Sequence, residues 1–377
     1  MYTLIDAYIK RMMNLSTPQT PYWNIESTRQ GKKPHWNYID GCMMISLLDL
    51  YKETHDETYF SFVESFVDYY VSEDGTMLGY DKSNYNLDDI NESRVLFDLF
   101  AKTKKEKYQK AIFNTFQHIL EQPRTHQGNF WHKKIYPHQV WLDGLFMAQP
   151  FYAKYLKTYK SHLTYDDIVM QFENVRKYMF NEEKKLYYHG YDASKSMFWA
   201  DKHTGLSKNF WLRAMGWYMV ALTEVIDILP DDYPPKTKIL KPMLHEMIDG
   251  LLMYQNSKTK LFYQVVDQGD KEKNYLETSG SLLVSYAILK STRLKTLPQN
   301  YQVIAKEIFD GVIKTYLTEV DGDLNLGGIC LVAGLGPENN LRRDGSYAYY
   351  VSEPIVNNDA KGVGPLIMAY TEIKKIK

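Results

Sequence analysis

Apolar and polar positions along the chain alternate with the period of a helix. Tyr108, Ile112, Phe113, Phe116, Ile119 and Leu120 fall at the spacing of one helix face, with Lys107, Lys110, Asn114 and Gln117 between them. Similar one-sided stretches lie near 2–15, 57–72, 164–179, 235–256 and 300–318. Between them come stretches apolar on every side, near 38–54, 86–103, 138–158, 207–229, 276–292 and 362–376. A one-sided helix keeps one wet face, whereas a helix apolar all round must be surrounded by protein. Strict alternation of the two kinds predicts an inner ring of helices inside an outer ring. The expected fold is therefore all-α: an (α/α)6 barrel forming a single domain over 1–377, with short strands in the loops of one face.

Two weak repeats fit that plan. Leu50–Tyr59 (LYKETHDETY) and Leu99–Tyr108 (LFAKTKKEKY) share L-[YF]-x-x-T-x-x-x-x-Y and are expected to form the turn from an inner to an outer helix. Lys185–Asp192 (KLYYHGYD) and Lys260–Asp267 (KLFYQVVD) follow outer helices, where a short strand or hairpin is expected. Their uneven spacing fits a strict solenoid poorly. No Pro/Gly/Ser-rich linker divides the chain.

Composition narrows the classes. With 45 basic and 46 acidic residues spread along 377 positions, no basic stripe is available for nucleic acid. Cys42 and Cys330, the 2 cysteines, lie far apart and outside any metal spacing, which suits a reducing compartment. The opening MYTLIDAYIKRMMNLST carries Asp6 and Lys10 within its apolar pattern and reads as an amphipathic helix, not a signal peptide. No apolar run is long enough for a membrane span. A cytoplasmic protein, monomeric or weakly homo-oligomeric, is expected. The high aromatic content, 15% with 32 Tyr and 7 Trp, suits a sugar-binding cleft but equally fills a core.

The candidate chemistry gathers where the inner helices begin. Their openings read Tyr38-Ile39-Asp40-Gly41, Asn86-Leu87-Asp88-Asp89, Trp141-Leu142-Asp143-Gly144, Trp211-Leu212-Arg213, Glu277-Thr278-Ser279-Gly280 and Gly362-Val363-Gly364-Pro365. In a toroid of alternating direction these starts share one mouth, where free N–H groups favour anionic ligands. Each residue also has a plainer use. Asp40 reads as a helix cap. Gly41, Gly144 and Gly280 allow close packing, and Trp141, Trp211 and Trp217 suit a core. Arg213 demands more explanation, because a cation in an apolar helix needs an anionic partner. No His/Cys/Asp cluster has metal-ligand spacing, and neither a nucleophile elbow nor a phosphate loop occurs.

Several blocks, in matching order from Trp36 to the C-terminus, resemble the unsaturated rhamnogalacturonyl hydrolases of glycoside hydrolase family 105. They are Phe130-Trp131-His132-Lys133, Tyr136-Pro137-His138-Gln139-Val140-Trp141-Leu142-Asp143-Gly144, and Trp199-Ala200 followed by Phe210 to Tyr218. Tyr263 to Asp267, Leu276 to Ser281, Arg343 to Tyr347 and Tyr349 to Ser352 continue the likeness. The resemblance implies an (α/α)6 barrel with Asp143 as general acid/base and Asp88 as second active-site carboxylate. It places Tyr38, His132, Tyr136, Trp141, Arg213 and Trp217 around the sugar. The chain departs from the family at Asn37, where a His is usual, and at Lys134-Ile135, where an acid and a Gly are usual.

The implied substrate is a small acidic oligosaccharide ending in a uronate with a C4=C5 double bond, and no metal or organic cofactor is implied. A protonated Asp143 would donate to C4 while water adds at C5. That role requires a raised Asp143 pKa, expected from burial beside Trp141 and from the neighbouring Asp88 charge. Arg213 or His132 would hold the substrate carboxylate and Trp217 would stack on the ring. On this reading Arg213→Met weakens binding more than it unfolds the protein. The alternatives are an unsaturated glucuronyl hydrolase acting on glycosaminoglycan fragments, a sugar epimerase using histidine pairs from His132, His138, His189 and His203, and a non-enzymatic helical repeat scaffold.

Overall fold

The turn that ends the first inner helix shows why the L…T…Y repeat exists. Thr54 Oγ1 donates to the carbonyl of Leu50 (2.8 Å) and accepts from the amide of Asp56 (3.3 Å), and Thr103 does the same with Leu99 (2.7 Å) and Lys105 (3.2 Å). His55 and Lys104, each next after its Thr, take left-handed φ of 57° and 61° and stop the helix. Tyr59 and Tyr108 then bury the start of the outer helix.

The computed structural model describes residues 2–160, 163–230 and 234–376; Met1 and Lys377, the ends of the expected domain, lie outside the described residues. The inner helices are Tyr38–Thr54, a broken second one, Leu142–Tyr159, Leu212–Ile228, Thr278–Arg293 and Ala360–Lys375. The broken one runs as Asp88–Asn91, a 3-10 turn Glu92–Arg94, and Val95–Thr103. Each inner helix packs on the next, and the last packs on the first, so the ring closes. Tyr2–Asn14, Glu57–Tyr70, Glu106–Glu121, Asp166–Met179, Pro234–Leu252 and Tyr301–Tyr316 form the outer layer. The chain ends meet where Tyr370 donates to Asp6 (2.9 Å).

The two burial classes follow the pattern, with one adjustment. Every residue from Leu212 to Ile226 is buried. On Glu106–Glu121 the buried face is Tyr108, Ala111, Ile112, Thr115, Phe116 and Ile119, whereas Phe113 and Leu120 lie at its edge, exposed. Phe113 covers Tyr155 and Tyr159 of the neighbouring inner helix instead.

Close approach of inner helices requires glycine. A Cβ on Gly280 would lie 2.4 Å from Cγ of Leu212 on the adjacent inner helix. Gly280→Ala is expected to cost about 1–3 kcal/mol through this overlap, read as a lower urea midpoint with an unchanged slope.

The expected short strands are present as four antiparallel pairs among the described residues. Gln139–Trp141 pairs with Gly190–Asp192, and Ile329–Cys330 pairs with Ile355–Val356. The repeat at 185–192 contributes strands, but its counterpart at 260–267 makes only isolated bridges at Tyr263 and Val265. Among the described residues, no helix is long and apolar enough to cross a membrane.

Candidate active site

The mouth at the starts of the first three inner helices holds a cavity of about 190 Å³. Tyr38, Asp88, His132, Tyr136, Trp141 and Asp143 line it, all of them candidates from the sequence. Each is placed by local structure. Asn37 caps the first inner helix by accepting from the Asp40 amide (3.0 Å), which brings Tyr38 to its first turn. Asp40, expected to be the cap, instead accepts from Trp23 (2.8 Å), Asn24 (3.2 Å) and Asn37 (2.7 Å), tying the N-terminal segment to the barrel. Asp88 opens the second inner helix, and Leu87 before it is fixed through its amide to the His132 carbonyl (3.1 Å). The strand Gln139–Trp141 delivers Asp143 one residue into the third inner helix.

Each carboxylate faces an imidazole. Asp88 Oδ1 lies 3.4 Å from His132 Nε2, and its Oδ2 is 2.5 Å from Lys133 Nζ. Asp143 Oδ2 lies 3.3 Å from His189 Nε2, while His189 Nδ1 meets the Tyr350 hydroxyl at 2.6 Å. The Trp141 ring holds the assembly together, stacked on His132 (4.4 Å, 18°) and tilted over Tyr136 (4.6 Å, 31°), with His189 at its edge (5.5 Å).

These contacts correct the expected ionisation of Asp143. Burial does push its carboxyl up, but His189 and His132 outweigh burial and hold it below the usual Asp value. The sequence reading weighed burial and Asp88 and missed the imidazole behind. Burial carries His132 down to about 4, so it is neutral near pH 7 and cannot serve as a cation there. Asp89, also in the cavity wall, is raised by burial to about 7.

Arg213 and Trp217 do not line this cavity. Arg213 is 1% exposed, donates to the Cys330 carbonyl and to Ser279 Oγ (3.4 Å), and lies over the Trp211 ring at 4.9 Å. Trp217 is also 1% exposed and stacks on Phe146 (4.4 Å, 23°), deep between inner helices. The helix direction explains both: they follow the start of the fourth inner helix, and its first turn is roofed by the strand pair that holds Cys330. The cavity wall instead includes Glu26, Asp89, Lys133 and Arg343, which sequence reasoning gave no role. Lys133 and Arg343 were visible inside motif blocks, and His189 inside the KLYYHGYD repeat, but Glu26 carried no signal.

Comparison with known proteins identifies the family and the fold. The family model described as Glycosyl Hydrolase Family 88 matches residues 6–377. The solved glycoside hydrolase from family 105 of C. acetobutylicum is 40% identical and superposes with a TM-score of 0.90, covering 99% of each chain. Protein Atu3128 of Agrobacterium fabrum is 37% identical over 232 residues, 60% of this chain and 97% of its own. The unsaturated rhamnogalacturonyl hydrolase YesR of Bacillus subtilis is 23% identical over 267 residues, 69% of this chain and 72% of its own.

Proposed function

The chain belongs to glycoside hydrolase family 88/105, the unsaturated uronyl hydrolases, and from that premise we propose that it removes unsaturated galacturonic acid from the non-reducing end of lyase-generated rhamnogalacturonan oligosaccharides, in the cytoplasm and as a monomer or weak homo-oligomer. The observation that carries the reading is Asp143, a buried carboxyl with an imidazole behind it, sharing a small aromatic-walled cavity with Asp88. The likeness to YesR, whose name specifies rhamnogalacturonyl substrates, favours this leaving group over a glycosaminoglycan one.

In this mechanism Asp143 delivers its proton to C4 and water adds its oxygen to C5. The proton lost by that water returns to Asp143, with His189 positioned to steady the charge. The hemiketal formed at C5 then opens, C1 becomes a hemiacetal, and the neighbouring sugar leaves. Asp88, paired with Lys133, offers acceptor oxygens to ring hydroxyls. No step needs a metal or an organic cofactor. The test is loss of the unsaturated-uronate absorbance from an unsaturated galacturonyl–rhamnose disaccharide, with an unsaturated glucuronyl disaccharide alongside. Faster turnover of the second would replace the proposed substrate, and no turnover of either would end the reading.

The depressed donor has a kinetic consequence. Only the protonated fraction of Asp143 is productive, so kcat/KM, which reports the free enzyme, is expected to fall as pH rises from the acid range. Bound substrate brings its own carboxylate and excludes water, and both raise the Asp143 pKa. The kcat profile should therefore hold to higher pH than the kcat/KM profile. Coincident profiles would mean that substrate does not perturb the donor.

A further inference from the structure

A uronate substrate carries a carboxylate on the reacting ring, and in a partly dehydrated cavity that charge needs a fixed cation. The two residues expected to supply it do not. Arg213 is buried outside the cavity, where its Nη1 donates to the Cys330 carbonyl and to Ser279 Oγ and its Nε is buried without a partner among the described residues. His132 faces Asp88 at 3.4 Å, and burial lowers its pKa to about 4. The other buried cations nearby are also committed. Lys133 is paired with Asp88 (2.5 Å), and Lys361 lies between Asp359 (3.1 Å) and Glu26 (3.6 Å). Lys32 is an exposed rim residue.

Arg343 differs from all of these. It lines the cavity, is only half-buried, and its guanidinium makes no hydrogen bond, ion pair or ring contact among the described residues. Its backbone is nevertheless fixed. The Arg343 amide donates to Asn340 (3.2 Å), and its carbonyl accepts from the Gly336 amide (2.8 Å). Gly334 opens the space the side chain occupies: a Cβ there would lie 3.1 Å from Arg343 Nη1 and 3.3 Å from the Trp141 ring. The guanidinium thus hangs beside the Trp141 ring, which stacks on His132. Glu26, the acid on the same wall, lies 3.6 Å from Lys361; it and Glu353 attract the Arg343 charge from a distance, without ion-pair contact.

We propose that Arg343 is the specificity-determining cation of this site, binding the carboxylate of the unsaturated uronate by paired N–H···O bonds. A planar guanidinium matches a planar carboxylate in a way a lysine cannot. The inference rests on the reading that this cavity cleaves unsaturated uronides, so the experiment separates the two.

Turnover is measured for the wild type and for Arg343→Met with the unsaturated galacturonyl–rhamnose disaccharide and with its uronate methyl ester. Wild-type turnover of the acid tests the reading itself, and a wild type inert on it removes both. Given that activity, the wild type is expected to prefer the acid, and Arg343→Met to raise the acid's KM by about 10- to 100-fold, the loss typical of a charge-assisted bond. The variant's preference for acid over ester should shrink to within about 3-fold. A variant that keeps the wild-type preference, or a wild type that has none, overturns the assignment while leaving the activity intact. Should Arg343→Met not fold, Arg343→Lys is read the same way. Charge without the fork predicts an intermediate preference, and an unchanged one overturns the proposal.

Discussion

Asp143→Asn is expected to leave a folded protein that binds substrate and barely turns it over. The amide keeps the shape of the carboxyl and can still face His189, so the third inner helix and the Trp141 stack should stand unchanged. What is lost is the transferable proton. Removing a general acid costs roughly 10²–10⁴ in rate, and more when the same group also takes the proton of the attacking water. Because the role is confined to the chemical step, kcat should fall while substrate affinity, followed by quenching of tryptophan fluorescence, stays near wild type. The proton that reaches C4 comes ultimately from solvent, so wild-type reaction in heavy water should leave deuterium there. Near-normal turnover by Asp143→Asn, or a product unlabelled at C4, would overturn the hydration mechanism.

The ring of helices was legible because a toroid writes itself into hydrophobic periodicity. Helices wet on one side and helices dry all round alternate, and Leu212–Ile226, buried at every position, is the clearest case. The Leu-Thr-Tyr repeat was legible as a turn because the Thr hydroxyl bonds four residues back, a purely local interaction. Tyr38, Asp88 and Asp143 share a cavity because each opens an inner helix on the same face. What failed was depth. Arg213 also opens an inner helix, but whether its side chain reaches the cavity depends on the strand pair carrying Cys330, more than 100 positions away in sequence (|i−j| of 117). The ionisation of Asp143 failed for a related reason. It is set by His189, brought in by the pairing of Gln139–Trp141 with Gly190–Asp192, and strand pairing of three residues leaves no periodic trace. Glu26 reaches the wall from the short helix Ile25–Gln30, whose residues are not buried and so give no hydrophobic pattern to read.

Arg213→Met is the variant for which the structure reverses the sequence expectation. It should chiefly destabilise the fold and leave substrate affinity alone. The residue is 1% exposed, and its Nη1 links the fourth inner helix to the fifth and to the Cys330 strand through Ser279 Oγ and the Cys330 carbonyl. Glu277, at the start of the fifth inner helix, accepts from Ser279 Oγ (2.6 Å), the Gly280 amide (2.7 Å) and the Cys330 amide (3.0 Å). Ser279 and Cys330 therefore stand between the cation and the acid, joining them without direct contact. Burial disfavours the Arg213 charge, yet Cys330 and Glu277 hold its pKa above the ordinary arginine value, the mark of a cation stabilised by its surroundings. Methionine fills much of the volume but leaves the Cys330 carbonyl without its donor and Glu277 without a nearby cation. Removing one partner of a buried charged network costs about 3–5 kcal/mol. That loss should appear as a lower Tm and urea midpoint, with KM for the unsaturated disaccharide unchanged in the protein that remains folded. A normal Tm with a sharply raised KM would return Arg213 to the substrate site and move the cavity boundary with it.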